Sequence, residues 1–410
     1  MLTKSSTELI RRQNRALVLS ALRRQSDRSH TDLALETGLA SATVTAITHE
    51  LESERVIERA EARPAGGRGR PRILFHQRRG AAYAAFVRIS SDALQYSMVD
   101  YSGTLIDRIE EKRDNTGQQA RVFADTVGAG LTRLAERSGV PRQALMAISI
   151  SSKGLVADDN ATLLWSPVLG NQRINFREAL EPNWDARITL NHESLLVASA
   201  LHSSLNRQSE QPVTRLAALS LGHSIGLGIV RLEADGEARA QAPGFGHMIH
   251  VQDGALCRCG CSGCIEAYAG FYAILRAAFE VPPTTIPARF VPFTEVENIA
   301  MLARRGDRMA EFAFRQAGTA IGNGLARLMS LHGKMPVVLT GPGIRFFDLL
   351  RPGIDQGLSA SLGTRIEGPP EISLSLDEER LVFEGHLNHT MDAIDREMIA
   401  PKILGRGGVQ

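Results

Sequence analysis

The sequence predicts a winged helix-turn-helix at the front of the chain, followed by an α/β body of two lobes. Three observations carry this. The first fifty residues hold short helical patterns separated by a Gly-containing turn. A Gly- and Arg-rich tip then lies between two apolar β runs. From about Ala81 onward, strands alternate with helices. The 410 residues leave room for two or three cores, so we divide the chain into residues 1–79 and 80–400.

The first helix is expected over Thr7–Gln25, with Leu9, Ile10, Ala16, Leu17, Leu19 and Leu22 mainly on one side. Ser29 and Asp32 have the spacing of a capping box with a short acid, opening a second helix through Leu33 and Leu35. Gly38 ends that helix in the left-handed conformation. Ser41 is expected to cap a third helix, Ala42–Ser53, whose buried side is Val44, Ile47 and Leu51. In such an arrangement the early residues of the third helix, Ser41, Ala42, Thr43 and Thr45, face the major groove of double-stranded DNA. Their hydroxyls and methyls suit phosphates and thymine methyls, but none makes a bidentate base contact, so modest direct readout is expected.

Residues 56–59 and 72–75 read as a hairpin around the tip Pro64–Pro71. Glycines keep the tip thin, and Arg68, Arg70 and Arg72 suit a narrow, electronegative minor groove. Residues 1–79 carry 15 Lys/Arg against 9 Asp/Glu, a net +6 in a chain whose total is +2. A basic front on a mildly acidic body is the charge pattern of a polyanion reader fused to another module. A three-helix unit that binds protein is the alternative, and the basic tip speaks against it.

In the body, strands are expected over 82–89, 95–99, 104–110, 144–150, 187–190, 215–221, 224–231 and 336–339. Helices are expected over 120–138 and 307–331. Four prolines between Pro282 and Pro292 mark a loop. The opening residues lack an apolar signal core, and no run of 18 apolar residues occurs, so a cytoplasmic protein without membrane contact is expected.

All four cysteines fall between Cys257 and Cys264, ten positions or more after His247. Clustered cysteines in such a chain point to metal rather than disulfides. Three thiolates of this cluster with the His247 imidazole would make a closed tetrahedral Zn²⁺ site with no position left for water, hence structural. Four cysteines without a metal is the competing reading.

Taken together, Asn14-Arg15, Ser29 to Asp32, Thr37 to Thr45, the Gly67–Pro71 tip and the 244–266 segment resemble the ROK family of repressors and sugar kinases. The resemblance covers nearly the whole chain. It implies the actin/hexokinase, ribonuclease-H-like fold and a zinc loop at 244–266 with His247, Cys257, Cys259 and Cys264 as ligands, Cys261 being either a substitute ligand or a free thiol. It also implies a carbohydrate effector bound through Asn191, His247 and Glu266. Glu266 also suits a role in orienting the zinc loop, and Asn191 a turn or capping role. Trp165, with Gly170 and Asn171, is placed at the cleft mouth or, for Trp165, in the core.

Departures from the family pattern argue against phosphotransfer. His192 stands where ROK kinases have their catalytic Asp, and Glu193 is displaced by one residue. Arg88, Ser90 and Ser91 replace the acid and glycines of the first phosphate loop, although the glycines from Gly222 to Gly228 survive. Gly244 replaces a family Glu that holds sugar hydroxyls. The expected protein is therefore a non-enzymatic repressor of carbohydrate genes, a homodimer or homotetramer on an inverted-repeat operator. Its rivals are a ROK regulator controlled by a protein partner and an ATP-dependent sugar kinase with a DNA-binding domain.

Overall fold

The computed structural model describes residues 4–60, 73–113, 119–209 and 211–400. At the front, α1 (Lys4–Arg24), α2 (His30–Thr37) and α3 (Ser41–Ser53) pack beside a small sheet of β1 (Arg28–Ser29), β2 (Ile57–Arg59) and β3 (Leu74–Gln77). The sheet order is β1-β3-β2, antiparallel throughout. The Ser29–Asp32 capping box forms, and Gly38 closes α2 at φ 69°. Val18, Leu19, Leu22, Leu33, Val44, Ile47 and Leu51 share one core.

Three expectations shift here. The buried face of α1 is Arg15, Val18, Leu19, Ala21 and Leu22, whereas Leu9, Ile10 and Leu17 are exposed. The core members of this helix, Val18, Leu19, Ala21 and Leu22, all lie in its C-terminal half, and Arg15 takes a core-facing place by pairing with Glu54. Ser41 does not cap α3: Ala40 is the N-cap, no side chain fills the role, and Ser41 is already helical, its carbonyl accepting from Thr45 Oγ1 at 2.9 Å. The hairpin forms with β3 displaced two residues onward, Arg59 facing Phe75. That register buries Phe75 and Gln77 together.

The body begins with β4 (Tyr83–Ile89), β5 (Ala93–Asp100), β6 (Leu105–Lys112), α4 (Ala120–Ser138), β7 (Leu145–Ser152), β8 (Leu155–Val156), β9 (Thr162–Trp165) and β10 (Ile174–Asn175). It continues through α5 (Phe176–Leu180), β11 (Arg187–His192), α6 (Glu193–Gln208), β12 (Arg215–Ser220), β13 (Gly226–Leu232) and β14 (Ala238–Gln241). Then come α7 (Glu266–Ala269), α8 (Phe271–Ala278), α9 (Phe293–Arg304), α10 (Arg308–His332), β15 (Val337–Thr340), α11 (Phe347–Ser359), α12 (Leu362–Glu367), β16 (Ile372–Leu374) and α13 (Glu378–Met398). The expected elements are present, with strand ends moved by one or two residues.

Two five-stranded sheets organise these elements, β11-β7-β4-β5-β6 and β14-β13-β12-β15-β16. Each consists of an antiparallel meander extended by two parallel strands, so the lobes repeat one topology. Helix α6 lies between them, with Leu196, Val197 and Leu201 against Leu216 and Val230 of the second sheet and Leu381 and Val382 of α13. Close approach is required where α6 begins. A Cβ at Gly228 would lie 2.0 Å from the Ser194 carbonyl oxygen, so only glycine lets β13 sit there. This contact fixes the β11–α6 junction, and with it His192 and Glu193, at the mouth of the cleft. No helix among the described residues is long and apolar enough to cross a membrane.

Candidate functional site

On the front unit, α3 turns Val44, Ile47, Thr48 and Leu51 inward. Ser41, Ala42 and Thr45 are left exposed and Thr43 half-buried, a small-residue face at the start of the helix. His30 Nε2 lies 2.9 Å from Thr48 Oγ1, tying α2 to α3. Arg68, Arg70 and Arg72 lie outside the described residues, between the two strands that frame the tip.

The cysteine loop leaves the short 3-10 turn Phe245–His247 and returns at α7, with bridges at Ile249–Cys264 and Leu256–Ser262. Gly263, at φ 83°, makes the return possible, since a Cβ there would lie 1.8 Å from the Val251 carbonyl oxygen. One ligand atom each from His247, Cys257, Cys259 and Cys264 falls within 4.8 Å of all the others. His247 Nδ1 is 3.7 Å from Cys257 Sγ, and Cys259 Sγ is 3.7 Å from Cys264 Sγ. A zinc tetrahedron with bonds of roughly 2.0–2.3 Å has edges of about 3.5–3.8 Å, so this donor set fits the ion. Hydrogen bonds with Cys257 and Cys264 hold the Cys259 thiol far below its usual range, and the same kind of contacts push Cys264 up. Cys261 is exposed and outside the cluster.

Behind the loop, Arg258 fans out beneath it. Its guanidinium donates to Glu266 at 3.2 Å, to Ser224 Oγ at 3.0 Å and to the His223 carbonyl, and it stacks 4.9 Å from the Tyr272 ring centre. Glu266 completes the junction by accepting from the Ile225 amide at 3.2 Å. Both Glu266 oxygens are thus engaged in holding the loop to the turn before β13, and its orienting role is met by observed bonds.

A cavity of about 320 Å³ opens beside this junction. Trp165, His192, Gly244, His247 and Glu266 line it. Trp165 meets His247 edge-on at 5.1 Å. Asn191 is not brought to it. It is buried on the other side of β11, donating to Ser149 Oγ at 3.1 Å, because alternate residues of a strand face opposite sides. Gly170 and Asn171 likewise do not line it. His192 caps α6 through Nδ1, and burial holds its pKa down at about 4, so the ring is neutral near pH 7.

A second cavity, about 260 Å³, adjoins the first and shares Lys153, Pro167 and Ser224 with it. Arg88, Ser90, Ser91 and Gly222 face into it, together with Glu193 and Glu378. Arg88 donates to both oxygens of Glu193 at 3.1 and 3.2 Å and lies 3.8 Å from Glu378. Burial works against the charge on Arg88, but the two carboxylates outweigh it and hold the pKa up. Lys153 reaches from the end of β7 across the cleft to Ser220 Oγ of the other sheet at 3.1 Å. Lys153, Arg258 and Glu378 escaped the sequence reading. The sole usable signal was a charge at the end of an apolar strand for Lys153.

The ROK family profile matches residues 87–375. The DNA-binding transcriptional repressor Mlc of Escherichia coli (strain K12) is 23% identical, over 80% of this chain and 81% of that protein. The xylose repressor of Caldicellulosiruptor bescii is also 23% identical, over 85% of this chain and 88% of its own length. Among solved structures, a ROK family transcriptional regulator described as a homologue of E. coli Mlc superposes with a TM-score of 0.68 at 19% identity. It covers 94% of this chain and 99% of its own. A ROK family glucokinase from Streptomyces griseus, with glucose and AMPPNP, gives 0.55 at 20% identity, covering 75% of this chain and 99% of its own. The paired sheets are thus a fold that regulators and kinases share, with the regulator covering 94% of this chain and the glucokinase 75%. With the profile spanning both sheets and the cysteine loop, the chain belongs to the ROK family.

Proposed function

We propose that the protein is a DNA-binding transcriptional regulator, a repressor of carbohydrate-metabolism genes, whose ROK body binds a carbohydrate and does not phosphorylate it. The observation that carries this reading is the front unit: three helices and a small sheet, with Ser41, Ala42 and Thr45 exposed and Thr43 half-buried at the start of α3. We read this unit as a winged helix-turn-helix whose third helix would enter the major groove, with Arg68, Arg70 and Arg72, read from the sequence, assigned to the adjacent minor groove. The matched repressors support the same reading. A homodimer or homotetramer would present two such units to an inverted repeat.

The absence of phosphotransfer rests on chemistry. A phosphoryl-transfer site needs a carboxylate base and a metal-loaded phosphate site. Here a neutral His192 stands at the base position, and Arg88, paired with Glu193, occupies the phosphate side. Zinc bound by His247, Cys257, Cys259 and Cys264 would be structural, holding the loop that forms one wall of the sugar cavity. Effector binding would alter DNA affinity by a coupling of about 1–3 kcal/mol.

The test is selection of genomic fragments by the purified protein, followed by gel-shift titration with and without sugars. Enrichment of an inverted repeat near carbohydrate genes, with affinity changed by one sugar, is expected. Protein that retains no fragment yet forms ADP with a sugar and Mg-ATP would replace this reading with the kinase.

A further inference from the structure

Both cavities of the cleft bear on what the effector is. They are of similar size and continuous at Lys153, Pro167 and Ser224, together reaching the usual range for ligand pockets. A monosaccharide over Trp165, His247 and Glu266 would leave the Arg88 cavity unused.

The lining of that second cavity does not suit an anion. Its two cations, Arg88 and Lys153, face three carboxylates, Asp92, Glu193 and Glu378. Arg88 is committed to Glu193, and Lys153 lies 3.7 Å from Glu193 and 3.9 Å from Glu378. A phosphoryl group would meet carboxylates at short range without an uncompensated positive charge to hold it. Uncharged hydroxyls fare differently, because the same wall offers donors and acceptors side by side, including the Ser91 hydroxyl. Glu378 is only 8% exposed, and its Oε1 has no hydrogen-bond partner. Phe290, Phe293 and Pro167 also line the cavity, apolar surface of the kind that packs against the C–H face of a sugar ring.

We propose that the Arg88–Glu378 cavity is a second saccharide subsite and that the effector is a disaccharide or glycoside spanning both cavities. The inference rests on the carbohydrate reading above and deepens it. It also names the residue through which the ligand is sensed. Glu378 opens α13, and Asp395, seventeen residues on and about 26 Å along the axis, holds Arg23 of α1. A hydroxyl hydrogen-bonded to Glu378 acts on the helix that grips the front unit.

Calorimetry on the full-length protein tests this, with xylose against xylobiose, N-acetylglucosamine against N,N′-diacetylchitobiose, and glucose against maltose, cellobiose and glucose 6-phosphate. One disaccharide should bind at least tenfold more tightly than its monosaccharide. Glu378→Gln should cut that ratio severalfold. Ser91→Trp, which fills the cavity from its half-exposed rim, should abolish it. Equal affinity for unit and dimer, tighter binding of the sugar phosphate, or a ratio that neither variant moves would overturn the subsite while sugar binding stands. Heat from no saccharide of either size would remove the carbohydrate reading and the subsite together.

Discussion

Arg23 and Asp395, 372 residues apart, form a bidentate pair, with Nε to Oδ2 at 2.8 Å and Nη2 to Oδ1 at 2.7 Å. The Tyr101 hydroxyl donates to the same carboxylate at 2.6 Å, and Arg23 Nη1 donates to the Tyr101 carbonyl at 3.0 Å. The guanidinium also lies 4.9 Å from the Tyr101 ring centre. The pair joins α1 of the front unit to the last turns of α13 and to the β5–β6 turn.

Removing one partner of such a buried pair strands the other. Arg23→Ala should cost about 3 kcal/mol, the lower end for a broken buried ion pair. The front segment should become the first site of proteolysis. Effector response should weaken more than operator binding itself. Arg23→Lys should restore part of the stability, since an ammonium cannot bridge both oxygens. Limited proteolysis and thermal melts of the three proteins check this, and an unchanged digestion pattern for Arg23→Ala would show that the pair does not hold the unit.

For the Arg-rich tip, Arg68→Ala and Arg70→Ala should each weaken operator binding and make its salt dependence shallower by about one counterion. Gel-shift titrations at several salt concentrations measure both effects. Equal slopes for variant and parent would take the tip out of the DNA contact set.

The metal site separates its ligands from the spectator. Cys259→Ser should lower bound zinc and the melting temperature, while Cys261→Ser, outside the cluster, should retain both. Atomic absorption on the purified variants decides it. Loss of zinc from the Cys261 variant instead would reassign the ligand.

Gly244 faces open space: an added Cβ would meet nothing within 4 Å, and its φ of −72° suits any L-residue. Gly244→Glu should therefore be accommodated at the cavity wall and add a hydroxyl acceptor. An affinity gain of about tenfold for the best-binding sugar is expected, roughly one charge-assisted hydrogen bond. Calorimetry of the variant measures it.

His386 lies buried between Ser149 Oγ at 2.8 Å and Ser151 Oγ at 2.9 Å, stacked 5.1 Å from Phe86. Burial, aided by Arg88, pushes its pKa down to about 3 against an unfolded value near 6.5. As pH falls from about 6.5 toward 3, the unfolded chain gains a proton that the native ring refuses, so stability drops with falling pH. His386→Gln should lessen that dependence by up to about 1.4 kcal/mol per pH unit. Melting temperatures of both proteins between pH 7 and 4 test the sign.

Much was legible because it depends on a few adjacent residues. The Ser29–Asp32 box, the left-handed Gly38 and the strands around the tip each follow from local geometry, and the clustering of four cysteines within eight residues marked the metal loop. The family resemblance, read from those same motifs, reached the two-lobed fold as well. The resemblance implied Asn191 at the cavity, with a turn or capping role as the alternative, but the fold turns it to Ser149 on the neighbouring strand; Ser41, expected as a helix cap, lies already inside α3. Only the folded chain could set Arg88 against Glu193, bring Glu378 to the cleft, spread Arg258 beneath the cysteine loop and close Arg23 on Asp395. Hydrophobic periodicity and capping patterns record what a segment does with its own backbone. A charged side chain leaves no such trace of its partner, since that pairing exists only once distant segments have packed and desolvated it.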